Sequence, residues 1–244
     1  MKLLVSCANV AEASVAVAGG ADIVDAKNPR EGALGATFPW TVRSIKAIAG
    51  KVEVSCTLGD LPNLPGSVAL AALGAASTGV NYVKVGLGGV RTKDDAVYLL
   101  RGAVKAAKDF NPAIKVVAAG YADAEKAGSL NPAIVPEVAD EANADVAMID
   151  TAFKNGANLF TILSRREIRR IVDDAHDRGL QVALAGSLRK ELLPDAFSLK
   201  ADIVGVRGAA CTNRDRLNGQ ITGEAVQGLA AILKRLQAGP SIMR

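Results

Sequence analysis

The sequence of 244 residues holds one histidine, one tryptophan and three cysteines. With only His176 available, neither a Ser-His-Asp triad nor a histidine-built metal site is expected. Cys7, Cys56 and Cys211 are an odd, sparse set without CxxC spacing. They argue against a disulfide framework or a thiolate metal site and fit a reducing, cytoplasmic setting. Aromatic residues make up 4% of the chain, and its Lys and Arg are scattered rather than gathered in a stripe. The formal net charge of +4 is therefore read as suiting small anionic substrates, not nucleic acid. No apolar run reaches the roughly 18 residues of a membrane span. Met1-Lys2 leads straight into LLVSCANV, too short for the apolar core and cleavage site of a secretory leader. No GxGxxG follows the first strand candidate, which counts against a doubly wound open sheet. No linker-like tract divides the chain, and residues 1–244 are expected to form one domain.

What the chain does have is alternation. Short runs rich in Val, Ile and Ala lie at 3–6, 22–27, 52–57, 82–87, 114–119, 145–150, 181–186 and 202–207. Between them, helical periodicity falls near 9–19, 40–49, 66–79, 92–109, 132–143, 164–179, 187–199 and 222–238. In the sixth of these, Ile168, Ile171, Val172 and Ala175 form the apolar stripe, and Arg165, Arg166, Arg169 and Arg170 cover the solvated side. Near-continuous apolar strands imply a parallel sheet buried on both faces. Eight strands alternating with eight helices in about 250 residues predict an α/β fold of the (β/α)8 TIM-barrel class. A doubly wound open sheet is the alternative. AGGADIVDAK, ANADVAMIDT and LKADIVGVRG repeat a helix end, an Ala-Asp pair and a strand.

Chemistry in such barrels sits at the carboxyl ends of the strands. Asp25 and Lys27 end the second strand on one face, because side chains alternate with period two. A purely structural ion pair is one reading. Burying such a pair costs several kcal/mol and seldom improves on apolar residues, which favours function. Lys84 interrupts YVKVGL among apolar neighbours; burial and nearby cations would free a lysine amine as nucleophile or base. Asp150 ends the sixth strand as a general acid/base or lysine-orienting carboxylate, with Lys154 in the loop behind it. Lys115 opens the fifth strand and is assigned to stability or solvent. After the seventh strand come Gly186 and Ser187, and after the eighth come Arg207 and Gly208. These two loops form the common phosphate site of the fold. His176 and the cysteines are expected to be structural. What remains is lysine and carboxylate chemistry on a carbonyl.

DAKNPREGALGATFPW, GDLPNLPGS, YVKVGL, VAAGYAD, AMIDTAFKNG, ALAGS and DIVGVRGAAC resemble the (5-formylfuran-3-yl)methyl phosphate synthase family nearly end to end. The resemblance implies a triosephosphate-isomerase-type barrel that condenses two glyceraldehyde 3-phosphate molecules to a furan aldehyde phosphate for methanofuran-type one-carbon cofactors. It implies Lys27 as the Schiff-base lysine and Lys84 as the proton acceptor, supported by Asp25 and Asp150. Arg207 with Gly186, Ser187 and Gly208 would grip one phosphate, and Lys154 would face the other. An ordinary class I aldolase acting on triose phosphates shares these features. A non-catalytic phosphometabolite-binding barrel is the alternative of another class. No metal or organic cofactor, nucleic acid or membrane is expected as a partner. Exposed apolar faces suggest a homo-oligomer.

Overall fold

The structure is a computed structural model and describes residues 1–239. Eight strands form a closed parallel barrel in chain order: β1 (Lys2–Cys7), β2 (Ile23–Ala26), β3 (Glu53–Thr57), β4 (Tyr82–Gly86), β5 (Lys115–Tyr121), β6 (Val146–Asp150), β7 (Gln181–Leu184) and β8 (Ile203–Val206). Strand β8 pairs back onto β1, with Val206 opposite Val5. The helices are α1 (Val10–Ala18), α2 (Pro39–Ala49), α3 (Pro65–Ala76), α4 (Lys93–Phe110), α5 (Ala124–Ala127), α6 (Val135–Glu141), α7 (Leu159–Ile162), α8 (Arg165–Asp177), α9 (Leu193–Ser198) and α10 (Gly223–Ala238). The (β/α)8 expectation from alternation is met.

Local chemistry sets the helix starts. Proline opens α2 and α3, where a missing N–H costs nothing. Asn9, Thr92 and Thr222 accept from backbone N–H groups as N-caps, and Ser164 and Glu167 form a reciprocal capping box on α8. The segment expected as one helix over 132–143 is a 3-10 turn, Pro132–Ile134, followed by α6. Pro136 sits in the first turn of α6 and limits how far back the α-helix can extend. The segment 187–199 likewise divides into a turn, Lys190–Leu192, and α9. Helices α5 and α7 are single turns in the loops after β5 and β6, too short to leave a period in the sequence.

The repeated Ala-Asp pair has a physical cause. Asp22, Asp145 and Asp202 each precede a strand, and their carboxylates accept from Leu3 N at 2.8 Å, Val116 N at 2.7 Å and Val182 N at 2.7 Å. Each staples the incoming strand to the strand before it in the barrel. Asp202 also takes Nε2 of His176 at 2.9 Å, so the lone histidine lies at the amino-terminal end of the barrel, away from the strand carboxyl ends. The lumen is filled by Leu4, Ile23, Tyr82, Val117, Val146, Met148, Ala183 and Ile203. Below them Lys2 pairs with Glu53, and Lys115 Nζ donates to Gln181 Oε1 at 2.8 Å and lies over the Tyr82 ring. The bottom is therefore closed by polar pairs, and the lumen opens only upward.

Candidate active site

The upper lumen is where parity places charge. Asp25 is fully buried and Lys84 is 1% exposed. Lys84 Nζ lies 3.0 Å from Asp25 Oδ2, and the Ser6 hydroxyl donates to the same oxygen at 2.9 Å. Lys27 lies just past β2, its backbone N–H bonded to Cys7 O. Its amine faces Asp150 Oδ2 at 3.9 Å rather than Asp25. Asp150 Oδ1 takes Lys154 Nζ at 2.6 Å, and Lys154 also reaches Thr151 Oγ1. The two charges that share a face of β2 are thus paired crosswise, with β4 and β6. Lys84 meets the Asp25 carboxylate, with the Lys27 cation also close enough to act on it.

The electrostatics follow from burial and these pairings. Burial pushes the Lys27 amine down; Asp150 opposes that, and Lys84 and Lys154 add to it, leaving its pKa at about 8. Burial alone would raise the Asp150 carboxyl, but Lys154 and Lys27 outweigh it and hold it at about 2. Asp25 is likewise kept below its ordinary value against its burial, by Lys84 and then Lys27. The site therefore holds two ionised carboxylates and one buried lysine whose amine is a substantial fraction neutral near physiological pH. Burial pushes the Cys7, Cys56 and Cys211 thiols up, Cys56 to about 12, so they are not nucleophiles at neutral pH.

The loop that presents Lys27 is built on a close approach. Thr57 Oγ1 donates to Gly35 O at 2.7 Å, and Asn28 N donates to Gly35 O at 2.9 Å. A Cβ on Gly35 would stand 2.1 Å from Asn28 O, so only glycine fits there. Opposite, Gly186 and Ser187 both take left-handed φ, 102° and 52°. Both residues line the cavity at this sharp turn.

A cavity of about 220 Å³ joins these parts. Lys27, Lys84, Asp150, Lys154, Gly186, Ser187, Arg207 and Gly208 all line it, and Asp25 lies directly beneath. Arg207, expected to grip phosphate, spends most of its donors on protein. Its Nη1 and Nη2 donate to both carboxylate oxygens of Glu12, at 2.8 and 3.2 Å, its Nη1 also to Ser6 O, and its Nε to Arg216 O at 2.6 Å. That leaves one of its five N–H groups for a ligand. Sequence reasoning missed Glu12, whose partner lies 195 residues away. It also missed Arg189, Arg214 and Arg216, which line the same cavity. A signal existed: two arginines in TNRDRLNGQ, directly after the last barrel strand. Among the described residues no group of three or more His, Cys, Asp or Glu side chains is arranged to hold a metal ion.

The 4-HFC-P synthase family model matches residues 3–230. The chain is 54% identical over 233 residues to a (5-formylfuran-3-yl)methyl phosphate synthase of Methanopyrus kandleri, covering 95% of this chain and 98% of that protein. It is 51% identical over 235 residues to the protein of the same name from Methanocaldococcus jannaschii, covering 96% and 100%. Among solved structures it resembles a 3-hexulose-6-phosphate synthase, with TM-score 0.64 and 21% identity over 95% of this chain and 99% of that one. It also resembles a phosphoribosyl anthranilate isomerase from Thermus thermophilus, with TM-score 0.61 and 18% identity over 96% and 98%. At those identities the structural likeness establishes the barrel and nothing finer.

Proposed function

The chain belongs to the 4-HFC-P synthase family, and from that premise we propose that it condenses two molecules of glyceraldehyde 3-phosphate to (5-formylfuran-3-yl)methyl phosphate. The reaction releases one phosphate and two waters. A role in making methanofuran-type cofactors is part of the same reading. The observation that carries it is the Lys27 amine: buried, held near pKa 8 and facing a cavity rich in cations.

A neutral Lys27 amine adds to the aldehyde carbon of one triose, and loss of water gives an imine. The protonated imine draws electrons from the adjacent C–H bond. Lys84 passes its own proton to Asp25 across their 3.0 Å contact, and the freed amine takes up the proton from carbon, leaving an enamine. Push from the enamine nitrogen expels the phosphate on the next carbon, so one C–O bond breaks as a C=C bond forms. The second triose isomerises to its ketose; aldol addition to that ketone carbon, ring closure through its free hydroxyl, loss of two waters and hydrolytic release of Lys27 then give the aromatic furan, whose stability pulls the sequence forward. Asp150 and Lys154, 2.6 Å apart, sit beside Lys27 to pass protons during imine formation and release. The Gly186–Ser187 turn and Gly208 cradle the retained phosphate.

Incubation with glyceraldehyde 3-phosphate as sole substrate tests the proposal. A near-ultraviolet chromophore and free phosphate should appear together in equal amounts. An aldolase would give an open-chain sugar phosphate with neither, and a binding barrel would leave the triose unchanged.

A further inference from the structure

Among the described residues, Arg216 is the half-buried cavity cation without a carboxylate partner. Lys84 has Asp25, Lys27 and Lys154 share Asp150, and Arg207 has Glu12. Arg189 and Arg214, also on the cavity wall, are exposed and solvated. The one side-chain hydrogen bond of Arg216 among the described residues runs from Nη2 to Gly32 O at 3.2 Å, across the mouth in the loop after β2. A half-buried guanidinium whose donors open onto a cavity is placed to take an anion there. Its planar fork matches phosphate.

The backbone around Arg216 is held in place. Asn213 and Arg214, just before it, are both in left-handed backbone at φ 53° and 57°, uncommon for a residue such as arginine. Arg207 Nε binds the Arg216 carbonyl while Glu12 fixes the guanidinium from the far side and also accepts from Ala8 N. Arg30 Nη2 reaches Asn218 Oδ1 at 3.3 Å, a second tie between the loops after β2 and β8. These ties bring Arg216 toward the loop that presents Lys27.

We propose that Arg216 binds the phosphate of the second triose, at a subsite distinct from the Gly186–Ser187–Gly208 cradle, and that Arg207 and Glu12 are positioning residues acting through the Arg216 carbonyl. The inference rests on the two-triose reaction proposed above. It explains why Arg207 stands at the strand end where the fold binds phosphate and yet spends its donors on protein.

Two measurements separate failure of the inference from failure of the reaction. First, calorimetric titration with inorganic phosphate needs no turnover. The intact protein is expected to bind two phosphates per chain and Arg216→Gln one; a single site in both, or two in both, overturns the subsite. Second, with glyceraldehyde 3-phosphate, Arg216→Gln should retain the borohydride-trapped adduct at Lys27 while its KM for furan formation rises about 10- to 100-fold, the loss of a charge-assisted hydrogen bond. Unchanged KM, or loss of the adduct in a folded variant, overturns the assignment. If Arg216→Gln does not fold, Arg216→Lys takes its place, with a smaller KM increase expected and none contradicting it. Glu12→Gln should raise KM with kcat largely kept; a lowered melting temperature with KM unchanged overturns the positioning role. Absence of both adduct and furan in the intact protein would instead sink the reaction.

Discussion

At the scale of single residues, the site is governed by how Lys27 loses its proton. Only the neutral amine adds to an aldehyde, so kcat/KM should rise with pH and level off above about 8. The neighbours move that limb in opposite directions. Asp150 raises the Lys27 pKa, so Asp150→Asn should shift the limb to lower pH. Lys154 lowers it, so Lys154→Gln should shift the limb to higher pH. A pH–rate profile of each variant checks this; shifts of the same sign would contradict it. The depressed pKa is also a statement about stability. The folded protein holds Lys27 at about 8 against an ordinary 10.5, so below pH 8 the unfolded chain binds this proton more readily. That penalty is full below pH 8 and fades as pH rises toward 10.5. Lys27→Met should therefore abolish turnover and raise stability at pH 7 by up to about 3 kcal/mol. Chemical denaturation at pH 7 and pH 10 tests it, the gain shrinking at the higher pH. Asp25, Lys27, Lys84, Asp150 and Lys154 could be picked out from parity and strand position. Their pairings could not, because which strand end faces which is set by barrel closure and register.

At the scale of elements, strands and most helices were legible because each is long enough to carry a period. The single turns α5 and α7 were not. They are fixed by what the loops pack on: Asp123 Oδ1 and Oδ2 accept from Ala152 N at 2.7 Å and Phe153 N at 2.9 Å. The Ala-Asp repeat was visible, but its function as a strand staple needed coordinates. Asp22→Ala removes a carboxylate from Leu3 N and should cost about 1–3 kcal/mol, read as a lower urea midpoint with an unchanged m-value. Gly35→Ala should act differently. The added methyl has nowhere to go without moving Asn28, so the loop carrying Lys27 shifts. A drop of tenfold or more in the rate of Lys27 trapping, exceeding any loss of folded protein, is the expected result.

At the scale of the whole molecule, charge distribution matters more than its total. The cavity is lined by Lys27, Lys84, Lys154, Arg189, Arg207, Arg214 and Arg216 against Asp150. The formal excess over the chain is only +4. A funnel of one sign attracts phosphorylated trioses and is screened by salt, so KM should rise steadily with ionic strength while kcat changes little. The outer surface carries a different signal. Leu70 and Leu73, three residues apart on α3, are 73% and 42% exposed. The homo-oligomer expected from the sequence predicts sedimentation well above the 25.1 kDa of one chain. No described helix is long and apolar enough to cross a membrane.

The covalent step is the decisive one. Protein reduced with borohydride in the presence of glyceraldehyde 3-phosphate, then digested and mapped by mass, should carry the triose-derived adduct on the peptide containing Lys27. An adduct confined to Lys84 or Lys154, or none under conditions where furan forms, would contradict it.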